Sequence, residues 1–298
     1  MSERSIIALI RKAIPLLASS SRYKGQNGRI GVVGGSRDYT GAPFYAGMAA
    51  LRTGADLVHI FCHTDASIPI KSYSGELIVA SGIENGIDRE FCDLHKNLHC
   101  LVIGCGLGRS TWAKEAVTNC ITSFKNIPIV LDADGLHWAL ENMDVISEHS
   151  KRIILTPNEI ELRRLANKLE INETDLKHTA EQVSLRLNGV TILAKGKIDC
   201  ITNGTKSIIN DEPASLKRCG GQGDLLGGAT AVFAYWMFKN SSELDVPIDE
   251  RLLHAAYGSS LITRRASMLA FKQFGRSLIA SDILSFIYDG FVYYFGNE

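Results

Sequence analysis

Gly28-Arg29-Ile30-Gly31-Val32-Val33-Gly34-Gly35-Ser36-Arg37-Asp38-Tyr39-Thr40-Gly41-Ala42-Pro43 reads as a strand, a glycine-rich turn and a helix start. Residues 30–33 are apolar without polar alternation, which suits a strand covered on both faces. Gly34 and Gly35 permit a tight turn. Pro43 suits a first helical turn, where its missing N–H costs nothing. The same grammar recurs outward from this unit. Apolar runs at 57–62, 77–80, 101–103, 127–131, 153–155 and 191–194 alternate with helix-like stretches at 42–53, 111–124, 159–168 and 180–187. That alternation predicts an α/β fold: a doubly wound, mostly parallel sheet with right-handed crossovers. Runs at 198–202 and 207–209 flank Asn203-Gly204-Thr205, a signal for a short antiparallel hairpin. Helices are expected at 224–238, 249–264 and 281–288. No linker, repeat or low-complexity block interrupts the pattern, so one domain over 1–298 is expected. In such a sheet ligands bind beyond the carboxyl ends of the strands, and the polar motifs here follow the strands.

The bulk composition narrows the function classes. Lys plus Arg number 32 and Asp plus Glu number 32. That balance gives no broad field for nucleic acid or an anionic membrane, so small-molecule substrates are the expected partners. No apolar run reaches the roughly 18 residues that span a bilayer. The seven cysteines form no Cys-x-x-Cys pair, and several sit in apolar runs, which suits a reducing, cytoplasmic setting. The first twenty residues carry Arg4, Arg11 and Lys12 among apolar residues. They read as an amphipathic helix over about 3–20; the alternative is a transit peptide and a mitochondrial form. The choice between monomer and homo-oligomer stays open.

Chemistry concentrates in Arg218-Cys219-Gly220-Gly221-Gln222-Gly223-Asp224-Leu225-Leu226-Gly227-Gly228. Glycines ahead of a helix start let free N–H groups and the helix dipole form an anion site. An Asp there would repel a phosphate unless it acts as a base on an attacking hydroxyl. The alternative is a plain N-cap. Thr156-Pro157-Asn158-Glu159-Ile160-Glu161 follows a strand. Asn158 and Glu161 could hold Mg²⁺ through water, or form a capping box, and the two are compatible. Leu131-Asp132-Ala133-Asp134-Gly135 pairs two acids at a strand end, for substrate or metal, or for capping. Gly104-Cys105-Gly106-Leu107-Gly108-Arg109 superficially matches the start of a dinucleotide fingerprint, a weak match taken alone, with Arg109 a phosphate partner. Ala194-Lys195-Gly196-Lys197-Ile198-Asp199 is a charged turn, either a nucleotide rim or an exposed β-turn. His59, His63, His137 and His254 are scattered and support no Ser-His-Asp arrangement.

Taken in order, Gly-x-Gly-Leu-Gly-Arg, Asp-Ala-Asp-Gly-Leu, Thr-Pro-Asn-Glu-x-Glu, Lys-Gly-x-x-Asp and Gly-Gly-Gln-Gly-Asp resemble the ATP-dependent NAD(P)H-hydrate dehydratase family. Lys24-Gly25-Gln26-Asn27-Gly28 and Tyr39-Thr40-Gly41-Ala42-Pro43 add to the likeness, which spans roughly residues 24–288. The resemblance implies a ribokinase-like three-layer αβα fold and a lyase that repairs hydrated NADH or NADPH. ATP would be the co-substrate, as in the eukaryotic branch, with Mg²⁺ as cofactor. Asp224 matches the base. Gly106, Asn158, Glu159, Ile160, Glu161, Leu162, Arg163 and Arg164 match hydrate-binding positions. Lys195, Gly196, Lys197, Ile198 and Asp199 match nucleotide-binding positions, as do Ala214, Ser215, Leu216, Lys217, Arg218, Cys219, Gly220, Gly221, Gln222 and Gly223. Two departures stand out. Gly75 replaces a usual proline in Ser74-Gly75-Glu76-Leu77, and Cys105 replaces another in the Gly-x-Gly-Leu-Gly turn. A small-molecule kinase of the same fold and a non-catalytic nucleotide sensor are the rival readings.

Overall fold

The computed structural model describes residues 3–17, 23–172, 175–239, 244 and 246–297. The elements run α1 (Glu3–Ala13), β1 (Arg29–Val33), α2 (Gly41–Thr53), β2 (Leu57–Cys62), α3 (Thr64–Tyr73), β3 (Leu77–Ser81), α4 (Arg89–Leu94), β4 (Cys100–Ile103), α5 (Thr111–Ser123), β5 (Ile129–Leu131), α6 (Asp134–Ala139) and α7 (Met143–Glu148). There follow β6 (Ile153–Leu155), α8 (Glu159–Lys168), α9 (Leu176–Arg186), β7 (Thr191–Ala194), β8 (Asp199–Thr202), β9 (Ser207–Asn210), α10 (Gln222–Lys239), α11 (Ile248–Phe274), α12 (Ala280–Ser285) and α13 (Ile287–Phe295).

Among the described residues nine strands form one sheet in the order β3-β2-β1-β4-β5-β6-β7-β8-β9. The pairings from β3 through to β7 are parallel, and β8 and β9 close the sheet as an antiparallel extension. The uniform apolar runs of the inner strands have a simple cause, because each inner strand feeds two cores. Ile30, Val32, Ile60, Val102, Val130, Ile154 and Leu193 join the core under α2, α10 and α11. Val33, Phe61, Leu101, Ile103, Leu131, Leu155 and Ile192 join the core under α5, α8 and α9. Side chains alternate across the sheet, yet both faces are dry, so no polar alternation shows.

Strand order reverses at β1, which pairs with β2 on one side and β4 on the other. A crevice opens at the carboxyl ends there, as in other doubly wound sheets. Helix α10 runs across the face above β4 and β5 and packs closely on α2. That approach depends on Gly228, where an added methyl would lie 1.9 Å from the Ala46 carbonyl oxygen. The hairpin turn forms as expected. Asn203 Oδ1 accepts the N–H groups of Thr205 and Lys206, and Gly204 takes φ +85°.

Three helix expectations need correction, one because α11, expected to end at 264, runs on to Phe274. The N-terminal helix packs its apolar stripe, Ile6 and Ile10, on the core, but it ends at Ala13. Ile14 precedes Pro15, and a residue before proline is pushed out of the α region. Residues 18–20 of the expected span lie outside the described residues. The single helix expected at 281–288 is two, α12 and α13, which meet at Phe286 with φ −103° and ψ 4°. The break lets α13 approach α11 at Gly290, whose added methyl would meet Ile262 O at 2.4 Å.

Gly228→Ala should separate α10 from α2 and destabilise the protein by about 1–3 kcal/mol or more. Chemical denaturation checks this; an unchanged midpoint would show that α10 is not held by this contact.

Candidate active site

Five residues from different elements converge at the carboxyl ends of β4 to β7. Cys105 follows β4, Asp132 follows β5, Thr156 follows β6, Lys195 follows β7, and Asp224 stands on the first turn of α10. Parallel strands end on the same side of a sheet, so the residues just past them become neighbours without further contrivance. Asp132 is buried, and its Oδ1 accepts from Lys195 Nζ at 2.8 Å and from Thr156 Oγ1 at 2.7 Å. Acceptor and thiol atoms of Cys105, Asp132 and Asp224 lie within 4.8 Å of one another.

Charge placement sets the acid–base properties. Burial pushes the Asp224 carboxyl up to about 7, and the negative Asp132 adds to this. A Cys105 hydrogen bond and the Lys195 ammonium pull the other way. Burial works against the Lys195 charge, but Asp132 and Glu161 outweigh it and leave its pKa raised. Burial also raises Glu161, against the pull of Lys195. Burial first, and the neighbouring Asp132 after it, keep Asp224 protonatable near neutral pH.

The loop ahead of α10 is shaped for an anion. Gly221 takes φ +90°, with the Tyr45 ring 2.9 Å from where a methyl would stand. The first N–H groups of an 18-residue helix lack intrahelical acceptors and carry the positive dipole end. Beside Asp224 opens a cleft of ≈ 890 Å³, lined by residues 36–39, Gly106, Gly108, Arg109, Trp112 and Asp134. Ala133 explains how Asp132 and Asp134 serve different sides. Its φ of 48° with ψ of −116° is a strained turn. Asp132 points to Lys195, while Asp134 accepts the Gly108 N–H at 2.8 Å and pairs with Arg109.

The residues singled out by sequence divide by position. Gly106 lines the cleft together with Asp224. Asn158 and Glu161 form a reciprocal capping box, Asn158 Oδ1 accepting the Glu161 N–H and Glu161 Oε2 accepting the Asn158 N–H. Glu161 and Arg164 line a smaller recess with Arg109 and Asp134. Glu159 and Arg163 pair with each other on the surface, Ile160 is exposed, and Leu162 is buried in the core beneath. The turn at 195–199 stands beside the loop at 214–223, where Arg218 donates to Gly196 O at 3.0 Å. Asp199 faces inward: it pairs with Arg264 at 2.8 Å and accepts from Ser260 and the Gly196 N–H. Arg264 also donates to the carbonyls of Gly196, Lys197 and Glu212, so it shapes this turn. Nothing local marks Arg264 in the sequence, because it lies mid-helix on α11. Ser215 is buried and bonded to Gln222, while Leu216 is 86% exposed on the rim.

A family model for NAD(P)H-hydrate dehydratase matches residues 30–288. The ATP-dependent (S)-NAD(P)H-hydrate dehydratase of Danio rerio is 40% identical over 296 residues, covering 96% of this chain and 88% of the relative. The protein of that name from Pediculus humanus subsp. corporis is 38% identical over 311 residues and covers all of both chains. The chain belongs to the NAD(P)H-hydrate dehydratase family. Its fold matches that of the Bacillus subtilis ADP/ATP-dependent NAD(P)H-hydrate dehydratase co-crystallised with ATP/Mg²⁺, at TM-score 0.73, 20% identity and 97% coverage of each chain. A ribokinase-like protein of Enterococcus faecalis matches at TM-score 0.76 and 20% identity, covering 98% and 95%. The architecture is therefore ribokinase-like. Space is open around Gly75, and Cys105 fits without exposure. Among the described residues no helix is long and apolar enough to cross a membrane.

The raised Asp224 pKa has a stability consequence. The folded protein binds this proton more tightly than the unfolded chain, whose reference value is 3.8. Asp224 therefore costs no stability below about pH 4, and its penalty grows until pH passes about 7. Asp224→Asn should gain stability over wild type at pH 8, by at most about 4 kcal/mol for a carboxyl raised from 3.8 to about 7, with the gap falling to less than half of that by pH 5. Thermal scans across that range check the sign; a constant gap would contradict it.

Proposed function

We propose that this chain uses ATP to dehydrate the S form of hydrated NADH or NADPH and restore the reduced nucleotide, with Asp224 as the base. The observation that carries the reading is a carboxylate poised near neutral pH beside the N-terminus of α10 and on the wall of a substrate-sized cleft.

The hydroxyl to be removed sits on the ring carbon beside the ring nitrogen. Water is a poor leaving group from that carbon and phosphate a good one. Asp224 takes the hydroxyl proton while the oxygen bonds to the γ-phosphorus and the bond to ADP breaks. Amides of Gly221, Gln222 and Gly223 face the charge that spreads over the phosphoryl oxygens. The ring nitrogen then donates its electron pair, the carbon–oxygen bond breaks, and phosphate leaves. Loss of a proton from the neighbouring carbon completes the dihydropyridine. Lys195, locked to Asp132, supplies fixed positive charge where anionic phosphates gather.

In this reading the hydrate occupies the cleft at Gly106, with Glu161 and Arg164 at its far side. The nucleotide lies across 195–199 and 214–223. Leu216 and the exposed Ile198 offer apolar faces to a purine, and the backbone between them offers hydrogen bonds. Asn158 and Glu161 present oxygen donors, the kind that Mg²⁺ prefers, and would hold it through water. When bound, that ion would neutralise phosphate charge. The unbroken nine-stranded sheet supports one domain. Seven free cysteines, five of them buried, support a cytoplasmic setting. A stable phosphorylated product in place of regenerated NADH would favour the rival kinase reading.

Asp224→Asn should lose turnover of hydrated NADH by about 10²–10⁴-fold while ATP still binds. Recovery of NADH absorbance, with calorimetry for ATP, tests this; near-normal turnover would reject the role.

A further inference from the structure

Helix α11 feeds the core along most of its length, yet one of its faces is polar and dry. Ser260, Arg264 and Ser267 stand at i, i+4 and i+7, so the helix period places them on that face together. All three are buried, Arg264 at 7% exposure. Polar groups out of water need fixed partners. Here the partners lie on the two segments assigned to the nucleotide and on the strand end that leads into one of them. We propose that Arg264 is a positioning residue for ATP: from α11 it sets the gap between the turn at 195–199 and the loop at 212–216, and so the slot that receives the base of the nucleotide. The inference rests on the reading that ATP lies across 195–199 and 214–223.

The guanidinium is shared between the two segments. Toward the turn, Nη1 pairs with Asp199 Oδ1 at 2.8 Å and reaches Gly196 O at 3.4 Å, while Nη2 donates to Lys197 O at 2.5 Å. Toward the loop, Nε donates to Glu212 O at 2.6 Å. Asp199 closes the turn from inside: its Oδ1 also accepts the Gly196 N–H at 3.0 Å, and its Oδ2 accepts from Ser260 at 2.7 Å. Ser260 in turn accepts from Asn210 Nδ2 at 2.6 Å, at the end of β9. Ser267 Oγ accepts the Ser215 N–H at 3.1 Å. Of the three residues, Arg264 is the one bonded to both the turn and the loop. Ile198 and Leu216, the exposed apolar residues placed against the purine, ride on the two segments that it ties.

The residue type follows from the task. A planar fork of five N–H donors in fixed geometry can serve three carbonyls and a carboxylate at once. Lysine carries the same charge on a single compact head, so Arg264→Lys keeps a cation beside Asp199 and loses the spread across both segments. Among the described residues, no hydrogen bond from Ser260, Arg264 or Ser267 reaches 220–223, where the γ-phosphate is placed. Arg264 therefore acts on how tightly ATP is held, equally before and during phosphoryl transfer, which is an effect on KM and not on kcat.

The test is the steady-state kinetics of Arg264→Lys. KM for ATP should rise about ten- to thirtyfold, the scale of lost hydrogen bonds to a charged group. Both kcat at saturating ATP and KM for hydrated NADH should stay within about twofold of wild type. An arginine that served only the core would lower the melting temperature and the amount of active enzyme while KM for ATP stayed put. That result overturns the proposal, as does an equal rise in both KM values. Should Arg264→Lys not fold, the double variant Asp199→Asn/Arg264→Gln, which leaves no buried charge unpaired, takes its place with the same expectations. Hydrogen exchange of the wild-type protein separates this proposal from the reading beneath it. Slower exchange at 195–199 and 214–223 with a non-hydrolysable ATP analogue upholds the nucleotide assignment, and an unchanged KM in the variant then removes the positioning role alone. Unchanged exchange at both segments removes the assignment and the proposal with it.

Discussion

The ion pair between buried Asp132 and partly buried Lys195 is the interaction on which the site depends. Taking two charges out of water is costly, and their attraction offsets that cost only when the remaining lone pairs are also satisfied. Here Thr156 supplies the additional hydrogen bond, from the strand that lies between the two partners. The pair thus ties the ends of β5, β6 and β7 together directly beneath the start of α10. It also sets the field that Asp224 experiences, since both partners act on that carboxylate with opposite sign.

From that field follows a trade between stability and reactivity. A carboxylate placed near a second carboxylate, and largely out of water, is uncomfortable when charged, and the discomfort is the source of its basicity. In the proposed reading the glycine loop at 220–223 provides the complementary half, donors without charge of their own for an incoming phosphate. Strain at Ala133 belongs to the same arrangement, because it allows one acidic side chain to support the ion pair while its near neighbour shapes the cleft. The reaction sequence proposed for the chain needs both halves in one place, and the switch between β1 and β4 is where the topology brings them.

Much of this was legible in the sequence, for identifiable reasons. Strands buried on both faces announce themselves as apolar runs, and all nine appear where such runs stand. Asp224 was legible because an acid after three glycines contradicts a simple phosphate loop. The capping box at Asn158 and Glu161 was legible from its spacing. The short helices α3, α4, α6 and α7 were not, since their few apolar positions establish no period. The separate duties of Asp132 and Asp134 were hidden because they depend on one unusual backbone angle. Arg264 was hidden for another reason: its partners, Asp199 and the carbonyls of 196 and 197, are some sixty-five residues away in the chain. Leu162 shows the converse, a residue inside a recognisable motif whose side chain the helix period turns into the core.

The most direct test is a crystal structure of the protein with a non-hydrolysable ATP analogue, Mg²⁺ and hydrated NADH. The account predicts the γ-phosphate against the amides at 221–223, with the substrate hydroxyl between it and Asp224 and hydrogen-bonded to that carboxylate. A γ-phosphate bound elsewhere, or a hydroxyl held by some other group while Asp224 faces only protein, would contradict it.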